Sequence, residues 1–164
     1  WEPNGAEVPT DSVRTNSASA YSRMSISSDG TTLLVDQSVY QFSDDLDFYY
    51  GFQPLPESSP PDTPVSMSRD GQVLAISHPR SSANETYSGR VAVFRFNGTG
   101  WNQEGNAMFG NAANDRFGWS HSLSGDGRRI VIMNNPLNAE SIATVYSLQG
   151  SAWIPVIEKF PVVF

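Results

Sequence analysis

Apolar and polar residues alternate in short runs, and one order of runs returns three times along the chain. Met24 and Ile26 alternate with Arg23, Ser25 and Ser27, and Trp119 and Leu123 are spaced by Ser120 and Ser122. A period of two predicts a strand with one buried and one wet face. Each of these runs closes on the motif Ser-apolar-Ser-x-Asp-Gly, at Ser25–Gly30, Ser66–Gly71 and Ser122–Gly127. Asp-Gly between apolar segments predicts a hairpin turn, because glycine takes positive φ without a steric penalty. Asp29, Asp70 and Asp126 are therefore turn formers, each beside its glycine, Gly30, Gly71 or Gly127. The runs that follow, Leu33-Leu34-Val35, Val73 to Ile76 and Ile130-Val131-Ile132, are apolar at every position. That pattern suits strands covered on both faces.

A third strand follows each time: Val39 to Phe42, Val91 to Phe96, and Val145 to Leu148. Its Val, Phe and Tyr content fits a pleated, half-buried surface. A Gly-containing turn and an aromatic complete the pattern, with Trp101 after Asn97-Gly98-Thr99-Gly100 and Trp153 after Gln149-Gly150-Ser151-Ala152. Trp1 stands in the same role at the start of the chain, and Phe48 or Tyr49 fills it in the first copy. The period is about 50 residues. No window shows apolar residues at i, i+3, i+4 and i+7 with caps, so no helix is predicted. The expected fold is all-β: one domain of about three propeller-like, four-stranded antiparallel blades, an incomplete propeller or an arc of a larger one. The units run 1–48, 49–100 and 101–153, with a C-terminal arm at 154–164. Closed propellers have at least about four blades, so three leave two open sheet edges: the chain is expected to pair with itself or with another protein, or to be an arc of a longer propeller, a stacked non-propeller β-array being the remaining option.

Composition narrows the function classes. The 164 residues suit one domain; Gly 13 and Pro 11 make it turn-rich, and 16% charged residues is too few for a coiled coil. The net charge is -7, and Lys159 is the one lysine, so no nucleic-acid partner is expected. No apolar run approaches the ~18 residues of a membrane-spanning helix. With Cys 0, disulfides, thiolate metal sites and cysteine nucleophiles are excluded. The chain opens at Trp1 with neither Met nor a basic-then-apolar leader, as expected of a processed chain of a plastid or of the secretory route, or of part of a longer one.

The stretch Asp115 to Ile132, with Phe117-Gly118 followed by Ser122–Gly127, resembles FG-GAP-like propeller repeats of the version common in algal proteins. The "GAP" position falls at Ser77-His78-Pro79 and Asn134-Asn135-Pro136, where only the proline matches. Val91 to Trp101 is similar to the strand pair of that repeat. The likeness covers residues 60–157 well and 1–50 weakly, since Ala20-Tyr21 stands where Phe-Gly is expected. Integrin-type members hold calcium in a D-x-D-x-D-G loop; this chain has no such loop, and no metal or other cofactor is carried over. The resemblance implies an accessory subunit of a larger assembly, for instance peripheral to a membrane complex such as a photosystem.

Candidate sites remain sparse. His78 and His121 are the two histidines. Ser120 and His121 are neighbours on one strand and point to opposite faces, so they make no Ser–His dyad with each other. Asp44, Asp45, Asp47, Glu57 and Asp62 form an acidic, proline-flanked loop. A glycosidase reading needs two carboxylates at fixed separation, which this spacing does not impose. Asn84-Glu85-Thr86 and Asn97-Gly98-Thr99 are glycosylation sequons in a secreted chain. Phe48, Tyr49, Tyr50 and Phe52 form the densest aromatic cluster, a stacking platform for a sugar or a partner. Phe160, Val162, Val163 and Phe164 make the arm apolar enough to dock on a sheet edge or another subunit. The reading at this level is a non-catalytic structural or protein-interaction module, not an enzyme, with an extracellular carbohydrate-binding propeller module as the alternative.

Overall fold

The structure, a computed structural model, describes residues 24–35, 38–43, 48–54, 63–137 and 139–162. Among these there is no helix. Thirteen strands form three antiparallel sheets. Sheet one holds β1 (Met24–Ile26), β2 (Thr32–Val35), β3 (Ser38–Ser43) and β4 (Phe48–Pro54), in that order. Sheet two holds β5 (Val65–Met67), β6 (Val73–His78), β7 (Arg90–Phe96), β8 (Trp101–Gln103) and β9 (Met108–Phe109). Both β8 and β9 pair with β7, so they are two halves of one interrupted fourth strand. Sheet three holds β10 (Ser120–Leu123), β11 (Arg129–Met133), β12 (Ser141–Gln149) and β13 (Ala152–Val162). None of the sheets closes into a barrel; together they are a partial propeller.

Two boundaries differ from the sequence reading. Trp101 lies in the fourth strand of sheet two, and Phe48 in that of sheet one, so each unit starts at its Ser-x-Ser strand rather than at its aromatic. The C-terminal arm, set apart from the third unit in the sequence reading, is part of the third sheet and docks along a strand edge, one of the two places the sequence offered it. Its residues continue β13 along β12, with Phe160 opposite Ala143 and Val162 opposite Ser141.

The Asp-Gly motif builds the same turn three times, and its second serine does as much as its aspartate. Ser27, Ser68 and Ser124 each donate from Oγ to the turn aspartate at 2.6 Å. The same hydroxyls each accept a backbone N–H from five residues on, at 2.9 Å. The glycine then crosses at positive φ, 75° at Gly30, 70° at Gly71 and 65° at Gly127. Without the serine, that N–H at the start of the second strand would lose its side-chain acceptor.

Sheets stack through two cores. Between sheets one and two lie Leu34, Val39, Leu74, Ile76, Ala92 and Phe94. Between sheets two and three lie Val73, Ala75, Val91, Val93, Ile130, Ile132 and Trp153, among others. The alternation explains why Val73 to Ile76 of β6 is apolar at every position: Leu74 and Ile76 face one core, and Val73 and Ala75 the other. Each fully buried Leu, Ile or Val contributes about 1.5–3 kcal/mol. The expectation of two covered faces fails for β2 and β11, where every second residue is only half-buried or, at Arg129, exposed. Among the described residues, only the middle sheet has a neighbour on both sides, and what the three described sheets leave open is two sheet faces.

Sheet three meets sheet two closely through the Phe-Gly pair. Phe117 is buried and stands edge-on to Tyr146 at 6.0 Å. A Cβ on Gly118 would lie 2.6 Å from Val91 Cγ2 and 2.7 Å from Ser77 Cβ, so no larger residue fits without movement. Buried Ser77 donates to the Gly118 carbonyl at 2.7 Å.

Candidate active site

The first strand of each sheet is where neighbouring sheets come together: β5 lies between β1 and β10. In a strand, alternate residues point to opposite faces. On β5, Val65 and Met67 pack towards sheet one, which turns Ser66 towards sheet three. On β10, Leu123 packs into the core shared with sheet two, and His121, two residues before it, shares that face. The two strands thus bring Ser66 and His121 together across the junction.

Ser66 Oγ lies 2.9 Å from His121 Nδ1, and His121 Nε2 lies 3.1 Å from the Pro64 carbonyl. A carbonyl only accepts, so Nε2 carries the proton and donates it to Pro64. In the neutral ring, Nδ1 then holds a lone pair and accepts the Ser66 hydroxyl proton. Both side chains are half-buried. This is a hydroxyl within reach of a base whose tautomer is set by a third group. Sequence reasoning tested His121 only against Ser120 on its own strand. The signal that finds Ser66 is the repeat register: the first serine of one motif faces the residue that precedes the motif in the next unit.

The other sequence candidates lie elsewhere. Asn97 is exposed at the β7–β8 turn, where its Oδ1 accepts from Thr99 N, Thr99 Oγ1 and Gly100 N. Asn84 donates from Nδ2 to the Gly110 carbonyl at 2.9 Å. His78 ends β6, opposite Arg90. Trp153 is buried, donates from Nε1 to the Glu104 carbonyl at 2.8 Å, and so ties sheet three to the break in the fourth strand of sheet two. Trp101 packs on the other core and stacks obliquely on Phe96 at 5.2 Å. Phe48, Tyr49, Tyr50 and Phe52 fall on β4, and Phe160 and Val162 on β13, the last strand of each sheet; their side chains are outside the described set. Trp1, Asp44, Asp45, Asp47, Glu57, Asp62, Val163 and Phe164 lie outside the described residues, so the carboxylate-pair reading falls there too. Among the described residues no three His, Asp or Glu side chains gather as a metal site would need.

No protein-family model and no curated protein matches the sequence. Solved structures do. The chain is similar to a protein of Bacteroides uniformis assigned as a 6-phosphogluconolactonase, at 15% identity and TM-score 0.56, over 97% of this chain and 46% of that one. It is also similar to the protein of Bacteroides fragilis with the same assignment, at 11% identity and TM-score 0.52, over 85% of this chain and 38% of that one. The likeness shows the fold. This chain spans less than half the length of either neighbour. The finding corrects the functional expectation. Both neighbours carry an enzyme assignment, which runs against a non-catalytic accessory module, against the carbohydrate-binding alternative and against "not an enzyme".

Proposed function

We propose that this chain is the catalytic arc of a propeller hydrolase that opens a small cyclic ester, with the site at the junction of sheets two and three. The observation that carries the reading is the Ser66–His121–Pro64 relay, 2.9 Å and 3.1 Å long, on the converging first strands. The lactonase assignment of the similar propellers supports the substrate class, a sugar lactone. In this scheme Ser66 Oγ attacks the lactone carbonyl carbon while His121 Nδ1 takes its proton. The ring C–O bond breaks, and the imidazolium returns the proton to the leaving alkoxide. A water then attacks the acyl-serine, gives its proton to Nδ1, and the carboxylic acid leaves as Ser66 Oγ is reprotonated. Donation from Nε2 to the Pro64 carbonyl keeps the ring in the tautomer that both steps need.

The test is the hydrolysis of 6-phosphogluconolactone and of unphosphorylated glucono-δ-lactone, followed by acid release at constant pH and corrected for the uncatalysed rate. Ser66→Ala and His121→Gln should each lower kcat/KM by at least ~100-fold, in line with the loss of a nucleophile or base, with the melting temperature held. Turnover that survives either substitution at the wild-type rate overturns the assignment, as does a folded wild-type chain with no turnover of either lactone.

A further inference from the structure

We infer that Ser77 is the positioning residue of the relay: it clamps the strand that carries Pro64 and Ser66 to the strand that carries His121. That role rests on the proposed chemistry of Ser66 and His121 and adds a third side chain to it. Ser77 lies near the end of β6, opposite Val91, and is wholly buried, at 0% exposure. Its backbone N–H donates to the Pro64 carbonyl at 3.0 Å. Its hydroxyl lies 2.7 Å from the Gly118 carbonyl and 3.4 Å from the Pro64 carbonyl. A serine hydroxyl has one proton, and the shorter contact takes it, so Oγ donates to Gly118. One residue thus holds both approaches to the site. Pro64 stands two residues before Ser66, and Gly118 three residues before His121.

A carbonyl oxygen has two lone pairs, and that of Pro64 takes two well-placed donors: Ser77 N–H at 3.0 Å and His121 Nε2–H at 3.1 Å. The first fixes where the carbonyl stands. The second uses it to hold the imidazole in the tautomer that leaves the Nδ1 lone pair to Ser66. Gly118 is fixed from two sides. Its N–H donates to the Met133 carbonyl of sheet three at 3.1 Å, and its carbonyl accepts from Ser77 of sheet two. A Cβ on Gly118 would lie 2.7 Å from Ser77 Cβ, so the chain entering β10 runs directly over Ser77. A reacting pair split between two sheets keeps its geometry only if the sheets are held in place close to it. Ser77→Ala keeps the backbone donor to Pro64 and takes the hydroxyl from the buried Gly118 carbonyl. The start of β10 is then released from sheet two, and His121 loses its alignment with Pro64. A serine that merely satisfied a buried carbonyl would leave the state of His121 as it is.

Nitrogen-15 NMR of the histidine-labelled 164-residue chain, at a pH where the imidazoles are neutral, tests this directly. His78 and His121 are told apart with His121→Gln. The unsubstituted chain should show His121 as the Nε2–H tautomer, and Ser77→Ala should turn its signals into an average of the two tautomers. Ser68→Ala is the control: it empties another buried serine site of the same sheet, one bonded to Asp70 and Val73, and should leave His121 unchanged. In turnover, Ser77→Ala should lower kcat about 10- to 100-fold with KM held within about twofold, and Ser68→Ala should change neither. Ser77→Cys keeps the volume with a weaker donor. It should fall between serine and alanine in both measurements, and it decides the matter alone if Ser77→Ala does not fold. A His121 signal indifferent to the loss of the Ser77 hydroxyl overturns the clamp. So does one that Ser68→Ala moves as far, which would mark a general loosening of the sheet. Failure of the clamp and failure of the lactone chemistry are told apart. A tautomer shift in a chain without lactone turnover keeps Ser77 as the anchor of His121 and removes the chemistry. Turnover abolished by Ser66→Ala and indifferent to Ser77 keeps the chemistry and removes the clamp.

Discussion

Replacing each of the three turn glycines by alanine is a test in which the chain supplies its own control. The turns are alike in φ, at 75°, 70° and 65°. Holding alanine there costs about 1 kcal/mol in each case. What differs is the space. A Cβ on Gly71 would meet Thr32 Cβ and Oγ1 at 2.6 Å, and one on Gly127 would meet Val73 Cγ2 at 2.6 Å and Cβ at 2.9 Å. Thr32 and Val73 are buried at 1% and 0%, each on the sheet that precedes. Neither β-branched side chain has a rotamer that withdraws both contacts, so the sheets must part, at a further ~1–3 kcal/mol. A Cβ on Gly30 would meet no described atom within 4 Å. Gly30→Ala should therefore cost about 1 kcal/mol, and Gly71→Ala and Gly127→Ala about 2–4 kcal/mol each. For a chain of this length the melting temperature should fall roughly 2–4 °C in the first case and roughly 4–16 °C in the other two. Calorimetry on the three variants reads the difference. If Gly30→Ala proves as damaging as the others, turn conformation alone sets the cost, and the close inter-sheet approach carries no energy.

Three further outcomes follow from single contacts. Ser68→Ala removes an acceptor for Val73 N–H and a donor to Asp70 at a buried turn; it should cost about 1–3 kcal/mol, read as a shifted urea midpoint at constant m. Trp153→Phe leaves the Glu104 carbonyl without its indole donor and should cost about 2–3 kcal/mol. Trp101→Phe should cost less in the same denaturation series, because the Trp101 indole N–H has no acceptor among the described residues. The Ser124 hydroxyl, then the Arg128 N–H, hold the Asp126 carboxyl below its ordinary range; Ser27 and Thr31 do the same for Asp29. A lowered carboxyl pKa stabilises the fold above the ordinary value and ceases to do so as pH falls through the folded one. The gap in melting temperature between wild type and Asp126→Asn should be widest above the ordinary carboxyl range and narrow as pH falls below it, through the lowered pKa of the folded state.

Much of the fold is legible in the sequence because its strands are short and its turns are chemically explicit. Ser66-Met67-Ser68-Arg69-Asp70-Gly71 announces a strand, a turn and the return of the chain. Leu74 and Ile76 on one parity, with Val73 and Ala75 on the other, mark a sheet with neighbours on both faces, whereas the same pattern in β2 and β11 has one face only half-buried or exposed. The phase of the unit is harder to read. Trp101 follows a turn and precedes another, and only its pairing with Phe96 assigns it to the sheet before. The arm is read as docking on a sheet edge or on another subunit, and only the pairing of β13 along the nine residues of β12 shows which edge its backbone takes. The site is the least legible part. Its two side chains stand 55 residues apart and belong to different sheets, so no local pattern links them.

The relay follows from one property of the repeat. The junction of sheets two and three sets the first motif serine of one unit against the residue preceding the motif in the next, Ser66 against His121. By register the matching pair at the junction of sheets one and two is Ser25 with Val65. Valine offers no lone pair to a serine, whereas His121 offers Nδ1 with its tautomer held by Pro64. A histidine placed at the first junction tests whether the frame or the pair is what matters. Val65→His in a chain lacking the natural base, His121→Gln, should set the introduced imidazole against the Ser25 hydroxyl on the same geometry. Recovery of even a small fraction of lactone turnover would locate the chemistry in the junction itself. No recovery from a folded variant, with Ser66→Ala still inactive in the parent, would instead tie it to the surroundings of β5 and β10, where the Pro64 carbonyl lies.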